Sequence, residues 1–305
     1  MSLPVITADT QVAYPDGDVV STGTVVRVEP VSGGRVAIVL DRTAFHPVDP
    51  VWPDQPADRG TLVVGGVAYP VVDAVVGATE LAADDSTLFV GYAPVRTGTE
   101  NWVFVVCHLV DDPTGALAAE ILPGAPVEVS VDADLRHALS AGHTACHLAS
   151  LALNASLADL WTKEVQTDGR GEPDFDRLAI VESRILPGGS LDTYRAGKSL
   201  RKKGFAAAEL GDRLGAVEAA ANALLAEWVD SGASVSIVRN GAGLGERRTW
   251  RCELAQGAVE IPCGGTHLTS LGELASVVVS LEQTEVPGAV ELRMRTAATL
   301  AAPVD

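Results

Sequence analysis

The chain has 305 residues, enough for one large domain or two of ordinary size, and 47% of them are hydrophobic, enough for a substantial core. No apolar run reaches the ~18–20 residues needed to cross a bilayer, and Met1–Asp16 lack the basic start and apolar stretch of a secretory signal. The formal charge of −18 predicts a soluble acidic surface and argues against a phosphate-rich partner unless the basic residues cluster.

From Thr22 to about Val131 the pattern is strand-like. GTVVRVEP, RVAIVLDRT, GTLVVGGVAYPVVDAVV, NWVFVVCHLV and APVEVSVD are Val-rich and bounded by Gly, Pro and Asp turns. Short strands without a long helix predict a small N-terminal β-barrel domain over residues 1–131. His46 and His108 have no spaced partner and read as loop or barrel residues; His137 gets the same reading.

The composition changes near Val131, and residues 132–305 read as an α+β domain with helices packed on an antiparallel sheet. Asp132 or Asp134 is placed to cap a helix beginning at Leu135. Gly142 is expected to kink or restart that helix. Beyond it Leu148, Leu151, Ala152 and Ala155 recur helically. Residues 170–176 read as a loop and 177–186 as a strand. The longest helix is expected over 205–230, with Leu210, Leu214, Val217, Ala221, Leu224, Leu225 and Trp228 on one stripe and Gly232 as its stop. The strands SVSIVRN and RTWRCELA follow, and SVVVSLEQ and GAVELRMRT come near the end. Gly241–Gly245 reads as a hairpin loop, because no helix opens after it.

Basic residues do cluster. Arg195, Lys198, Arg201, Lys202 and Lys203 fall within nine positions, and Arg239, Arg247, Arg248 and Arg251 form a second group. Each is either a solvated turn or a phosphate-contacting patch. Lys163 stands alone in the sequence.

The residues richest in chemistry are GHTACHLASLALN at 142–154 and IPCGGTHL at 261–268. His143 and His147 are spaced to share one helix face, and Cys263 and His267 repeat that spacing. Two His, one Cys and a further His suit zinc. The chain has six His and four Cys, and four of these ten fall into the pattern. A small zinc finger separates its ligand pairs by roughly 12–20 residues, far less than here, so the site would staple distant parts of one fold. A zinc peptidase would carry Glu beside a His as general base; Thr144, Ala145 and Cys146 stand there instead. Cys146 either faces the same ion or packs in the core. The few, irregularly placed cysteines suit thiols in a reducing cytosol, one of them metal-bound, rather than a disulfide framework.

HTACHL followed much later by CGGTHL resembles the editing domain of alanyl-tRNA synthetases and of free-standing AlaX-type trans-editing proteins, whose pattern is H-T-x-x-H-L and then C-x-G-T-H. Thr144, Leu148, Gly265 and Thr266 match beside the four ligand positions. LDRTAFHPVDPVWPDQPADRG at 40–60 resembles the N-terminal segment of the same family, matching at Asp41, Arg42, Thr43, Phe45, Pro47, Gln55, Asp58 and Gly60. The family's consecutive glycines are replaced here by Asp49-Pro50-Val51-Trp52-Pro53-Asp54. Prolines restrict the close backbone approach that glycines permit, so the loop's chemistry differs. The threonyl branch shares the ligand pattern, but the 40–60 segment points to the alanyl branch.

The resemblance implies a zinc-dependent hydrolase that deacylates Ser- or Gly-tRNA(Ala) in trans, in the cytoplasm and without membrane contact. It implies His143, His147 and Cys263 as ligands, with His267 a ligand or an acid–base group. Thr144 and Thr266 are implied as hydroxyls that sense the substrate side chain, their alternative being local bonds to backbone. Gln55 and Asp58 are implied as substrate contacts, and Lys198 and Arg201 of the basic cluster are candidate contacts with the tRNA acceptor end. A related hydrolase of small esters or amides would suit the acidic charge and the lost glycines, and a catalytically idle zinc protein is the third reading. No synthetase core or long C-terminal oligomerisation helix is visible in the sequence, which fits a stand-alone editor.

Overall fold

A computed structural model describes residues 5–81 and 87–302. It is a mixed α/β structure with antiparallel sheets and few helices, as expected in outline. The chain divides into two compact units. One comprises Met1–Arg136, Ile237–Arg248 and Gly264–Thr266; the other comprises His137–Ser236, Thr249–Cys263 and His267–Asp305.

Strands β1 (Gln11–Val12), β2 (Val20–Val31), β3 (Arg35–Leu40), β4 (Arg42–Thr43), β5 (Gly60–Val64), β6 (Val67–Val71), β7 (Asp73–Glu80), β8 (Phe89–Val90), β9 (Trp102–Asp111) and β10 (Pro126–Val131) belong to the first unit, with a short helix α1 (Leu117–Glu120). Eight of them form one sheet in the order β6-β5-β10-β2-β3-β9-β7-β8. The hydrogen-bonded order ends on β6 and β8, so the structure carries the antiparallel strands of the expected barrel without a ladder closing them among the described residues. Gly65 and Gly66, at φ 58° and 83°, make the tight turn that splits the long Val-rich run at 60–76 into β5 and β6. Alternating side chains such as Val25, Ile38, Leu62, Phe104 and Val129 fill the core on one face.

In the first unit Asp58 and Arg136 form a buried ion pair. Arg136 Nε donates to Asp58 Oδ1 at 2.8 Å, and Arg136 Nη2 donates to Asp58 Oδ2 and to the Ala44 carbonyl. His46 N–H completes the carboxylate's partners. His108 is fully buried between Thr43 Oγ1 (2.8 Å) and the Ile38 carbonyl (2.9 Å), and burial lowers its pKa to about 4. Both His46 and His108 are therefore packed in the fold.

Helix α2 (Ala133–Ser156) starts where Asp132 Oδ1 accepts the Leu135 N–H, which settles the cap on Asp132. It runs through Gly142 without a break, contrary to the expected kink. A Cβ at position 142 would lie 2.2 Å from the Leu186 carbonyl oxygen and 2.6 Å from that of Gly189. The glycine lets helix and hairpin backbones touch; it does not bend the helix. The loop expected at 170–176 ends in helix α3 (Phe175–Ala179), and the strand expected from 177 begins only at 180. Asp174 caps this turn through the Arg177 N–H, a local bond that periodicity does not register.

The hairpin β11 (Ile180–Leu186) and β12 (Gly189–Ala196) joins β16 (Leu274–Val286) and β17 (Ala289–Leu300) in the order β11-β12-β17-β16. Between them in the chain come α4 (Lys198–Lys202), α5 (Leu210–Asp230), β13 (Val235–Arg239), β14 (Arg248–Leu254) and β15 (Gly257–Pro262). The last three form a separate sheet in the order β13-β14-β15, and Gly241–Gly245 lies in the β13–β14 connection. α5 starts at Leu210, not at the expected 205, and its 21 residues are fewer than the 24 of α2, contrary to the expected longest helix. It buries Leu210, Val217, Ala221, Leu225 and Trp228, a helical spacing, and packs against β16.

Candidate metal centre

His143 and His147 project from one face of α2 with ring centroids 4.8 Å apart. Cys263 follows directly on β15, and His267 lies in the loop after it, ahead of the single turn Leu271–Glu273. The Cys263 Sγ is 3.4 Å from His143 Nε2 and 3.3 Å from His267 Nε2. The His267 ring is 4.4 Å from that of His143 and 5.0 Å from that of His147. One donor atom from each of the four residues lies within 4.8 Å of the others. Tetrahedral zinc with bonds of ~2.0–2.3 Å separates its ligand atoms by about 3.3–3.6 Å. The two sulfur–nitrogen distances meet that spacing already.

The donor set fits a cation on a second ground. His147 Nε2 is a buried nitrogen without a hydrogen-bond partner. An orphaned buried nitrogen is costly unless something takes its lone pair. Burial also lowers the His147 pKa to about 4, which keeps the imidazole neutral and able to ligate. The Trp250 ring, 5.0 Å from His147 and 6.1 Å from His267, walls one side with apolar surface. His143 is buried, whereas His147, Cys263 and His267 are partly open.

Thr144 sits behind the cluster. Its Oγ1 accepts the Leu268 N–H at 3.1 Å and lies 3.4 Å from His267 Nδ1. Cys146 is not among the cluster's donors. Its sulfur lies 3.6 and 3.7 Å from the Asp192 carboxylate oxygens, which also accept from Ser183 and Ser190, each at 2.6 Å. Burial pushes the Cys146 thiol well above its ordinary pKa and raises that of Asp192. The pair fastens α2 to β12. None of the four cysteines forms a disulfide.

The other expected site residues lie in different surroundings. In the first unit Gln55 clamps Thr266: Nε2 donates to Thr266 Oγ1 at 2.9 Å, and Oε1 accepts the Thr266 N–H at 3.0 Å. Gln55 is 1% exposed, and the Asp58 carboxylate is held by Arg136, so the polar ends of both are engaged within the fold. In the replaced glycine segment, Asp49 Oδ1 accepts the Val51 and Trp52 N–H groups, and both of those side chains are exposed. Lys198 and Arg201 stand exposed on α4. Sequence reading missed Trp250, although the alternation along RTWRCELA points it inward, and missed Asp192, whose partner Cys146 is 46 positions away in the chain.

No family model matches the chain. Over 263 residues, 84% of its length, it is 28% identical to the alanine–tRNA ligase of Caulobacter vibrioides. Over 167 residues, 52% of its length, it is 30% identical to the alanine–tRNA ligase of Cereibacter sphaeroides. These matches span 24% and 17% of the two relatives. The chain is thus weakly similar to part of an alanine–tRNA ligase, as expected of a domain related to that enzyme.

Proposed function

We propose that the chain is a zinc-dependent, AlaX-type hydrolase that removes Ser or Gly wrongly attached to alanine tRNA, with residues 132–305 as its catalytic part and residues 1–131 as a small barrel-type domain. The observation that carries this reading is the meeting of two pairs of donors, His143 with His147 and Cys263 with His267, within 4.8 Å. The similarity to alanine–tRNA ligases supports the choice of substrate. The scissile bond is an ester to the terminal ribose. Water adds to the acyl carbon, the carbon–oxygen bond to the ribose breaks, and the ribose oxygen leaves with a proton.

Zinc, when bound, supplies Lewis acidity to polarise the carbonyl or acidify a water. His143, His147, Cys263 and His267 would hold it. With His267 Nε2 turned to the Cys263 sulfur, the ring's proton belongs on Nδ1, where Thr144 Oγ1 accepts it and fixes one tautomer. The Trp250 wall excludes water from one side. Lys198 and Arg201 are candidates for contact with the tRNA backbone.

The test pairs metal analysis with deacylation. Purified protein should carry zinc and release amino acid from Ser- or Gly-tRNA(Ala), and Cys263→Ala or a chelator should abolish turnover. Metal-loaded protein inert on every mischarged alanine tRNA would sink the reading. The Pro-rich 49–54 segment and the acidic charge favour a second reading, hydrolysis of a small ester. Turnover of such esters by protein that does not bind tRNA at low salt would select it.

A further inference from the structure

Six cations come together on the second unit, five from one stretch of sequence and a sixth that the linear sequence hides. Lys163 is remote in sequence from the 195–203 cluster, yet its Nζ donates to the Lys202 carbonyl at 3.1 Å. The Thr162 N–H bonds the Gly204 carbonyl at 2.9 Å, so the two segments run side by side. Arg195 and Arg201 both donate to one turn, Arg195 to the Pro287 carbonyl at 3.4 Å and Arg201 to that of Gly288 at 3.1 Å. Lys163, Arg195, Lys198, Arg201, Lys202 and Lys203 are all exposed, and among them are all four lysines of the chain.

The six differ in their partners from the arginines that carboxylates neutralise. Arg27, Arg136, Arg184, Arg239, Arg251 and Arg293 each sit on a carboxylate. None of the six surface cations has a carboxylate ion pair among the described residues; those with side-chain bonds give them to backbone carbonyls, which leave the charge intact. A protein of net charge −18 gains nothing in solubility from gathering un-neutralised cations on one face. Like charges this close repel, and an external polyanion relieves that repulsion.

We propose that this face, centred on Lys163, Lys202 and the Arg195–Arg201 clamp, binds the phosphodiester backbone of RNA. Flexible lysines and partly engaged guanidiniums suit backbone phosphates, which carry no sequence information, rather than base edges. The choice of RNA over another polyanion rests on the tRNA-directed reading above; the surface itself does not.

The experiment measures tRNA binding by full-length, metal-loaded protein as a function of salt. Lys163→Gln/Lys202→Gln and Lys198→Gln/Lys203→Gln are compared with Arg184→Gln/Arg293→Gln, which removes two carboxylate-paired arginines. Each lysine lost is expected to weaken binding about equally for all RNA sequences and to reduce the magnitude of the slope of log K on log salt by about 1, with the arginine control unchanged. Absent RNA binding at low salt, lysine variants that bind like the parent, or an arginine control that weakens as much would each overturn the proposal. So would lysine-dependent binding to anionic vesicles or an acidic peptide in place of tRNA. Lysine-dependent binding without deacylation upholds the surface and removes the editing reading. Deacylation indifferent to the lysines does the reverse.

Discussion

Thr144 shows how two neighbours engage one hydroxyl. An oxygen has two lone pairs. The Leu268 N–H occupies one, and a proton on His267 Nδ1 would occupy the other. Such a hydroxyl is placed to orient a ligand, and its own O–H remains a donor. We predict that Thr144→Val weakens zinc binding about 10–100-fold in chelator competition, the usual cost of losing a group that orients a metal ligand. Thr144→Ser should restore most of the affinity. If Thr144→Val kept full affinity and lost only discrimination between amino acids, the hydroxyl would instead be reading the substrate.

At the scale of elements, close backbone packing decides where α2 and its two histidines lie. Gly142 lets α2 approach the β11–β12 turn, where a Cβ would strike backbone oxygens that no side-chain rotation can clear. Gly142→Ala is therefore expected to destabilise by about 3 kcal/mol or more, read from urea or thermal unfolding. Gly215 in α5 has nothing within 4 Å of its Cβ position. Gly215→Ala should stabilise by ~0.5–1 kcal/mol, because glycine in a helix interior costs about that much. A comparable loss at both positions would refute this account of Gly142. α5 also protects an exposed edge. β16 ends its sheet, and Asn222 bonds both the N–H and the C=O of Val279 while Glu218 accepts the Leu281 N–H. Side chains from the helix thus fill ladder positions that would otherwise invite another strand.

For the whole molecule the acidic balance, with an isoelectric point near 4.6, sets how stability responds to pH. Asp176 is half-buried, accepts the Tyr194 hydroxyl at 2.9 Å, and lies near Asp168, Asp174 and Asp192. Burial, the largest cause, raises its pKa from 3.8 to about 7. The folded chain therefore holds this proton more tightly than the unfolded chain does. The stabilisation is full below about pH 4 and is lost as pH rises through about 7. Asp176→Asn keeps an acceptor for Tyr194 and removes the titration. Urea midpoints should fall from pH 5 to pH 8 more steeply in the parent than in this variant. Parallel profiles would show that the carboxyl does not titrate in that range.

The sequence by itself determined the main strands of the first unit, because alternation and Gly or Pro turns are local, and the long helix expected over 205–230, which forms from Leu210, because its stripe is local too. It also determined the ligand types and their paired spacing, since four residues of rare kinds fell into one pattern. Only the tertiary structure decided that those pairs meet, that Cys146 turns to Asp192 instead of joining them, that Gly142 serves contact and not curvature, and that Lys163 joins a cluster some forty positions away. Each of these depends on which backbones touch, a relation between segments distant in the chain that periodicity and spacing do not encode.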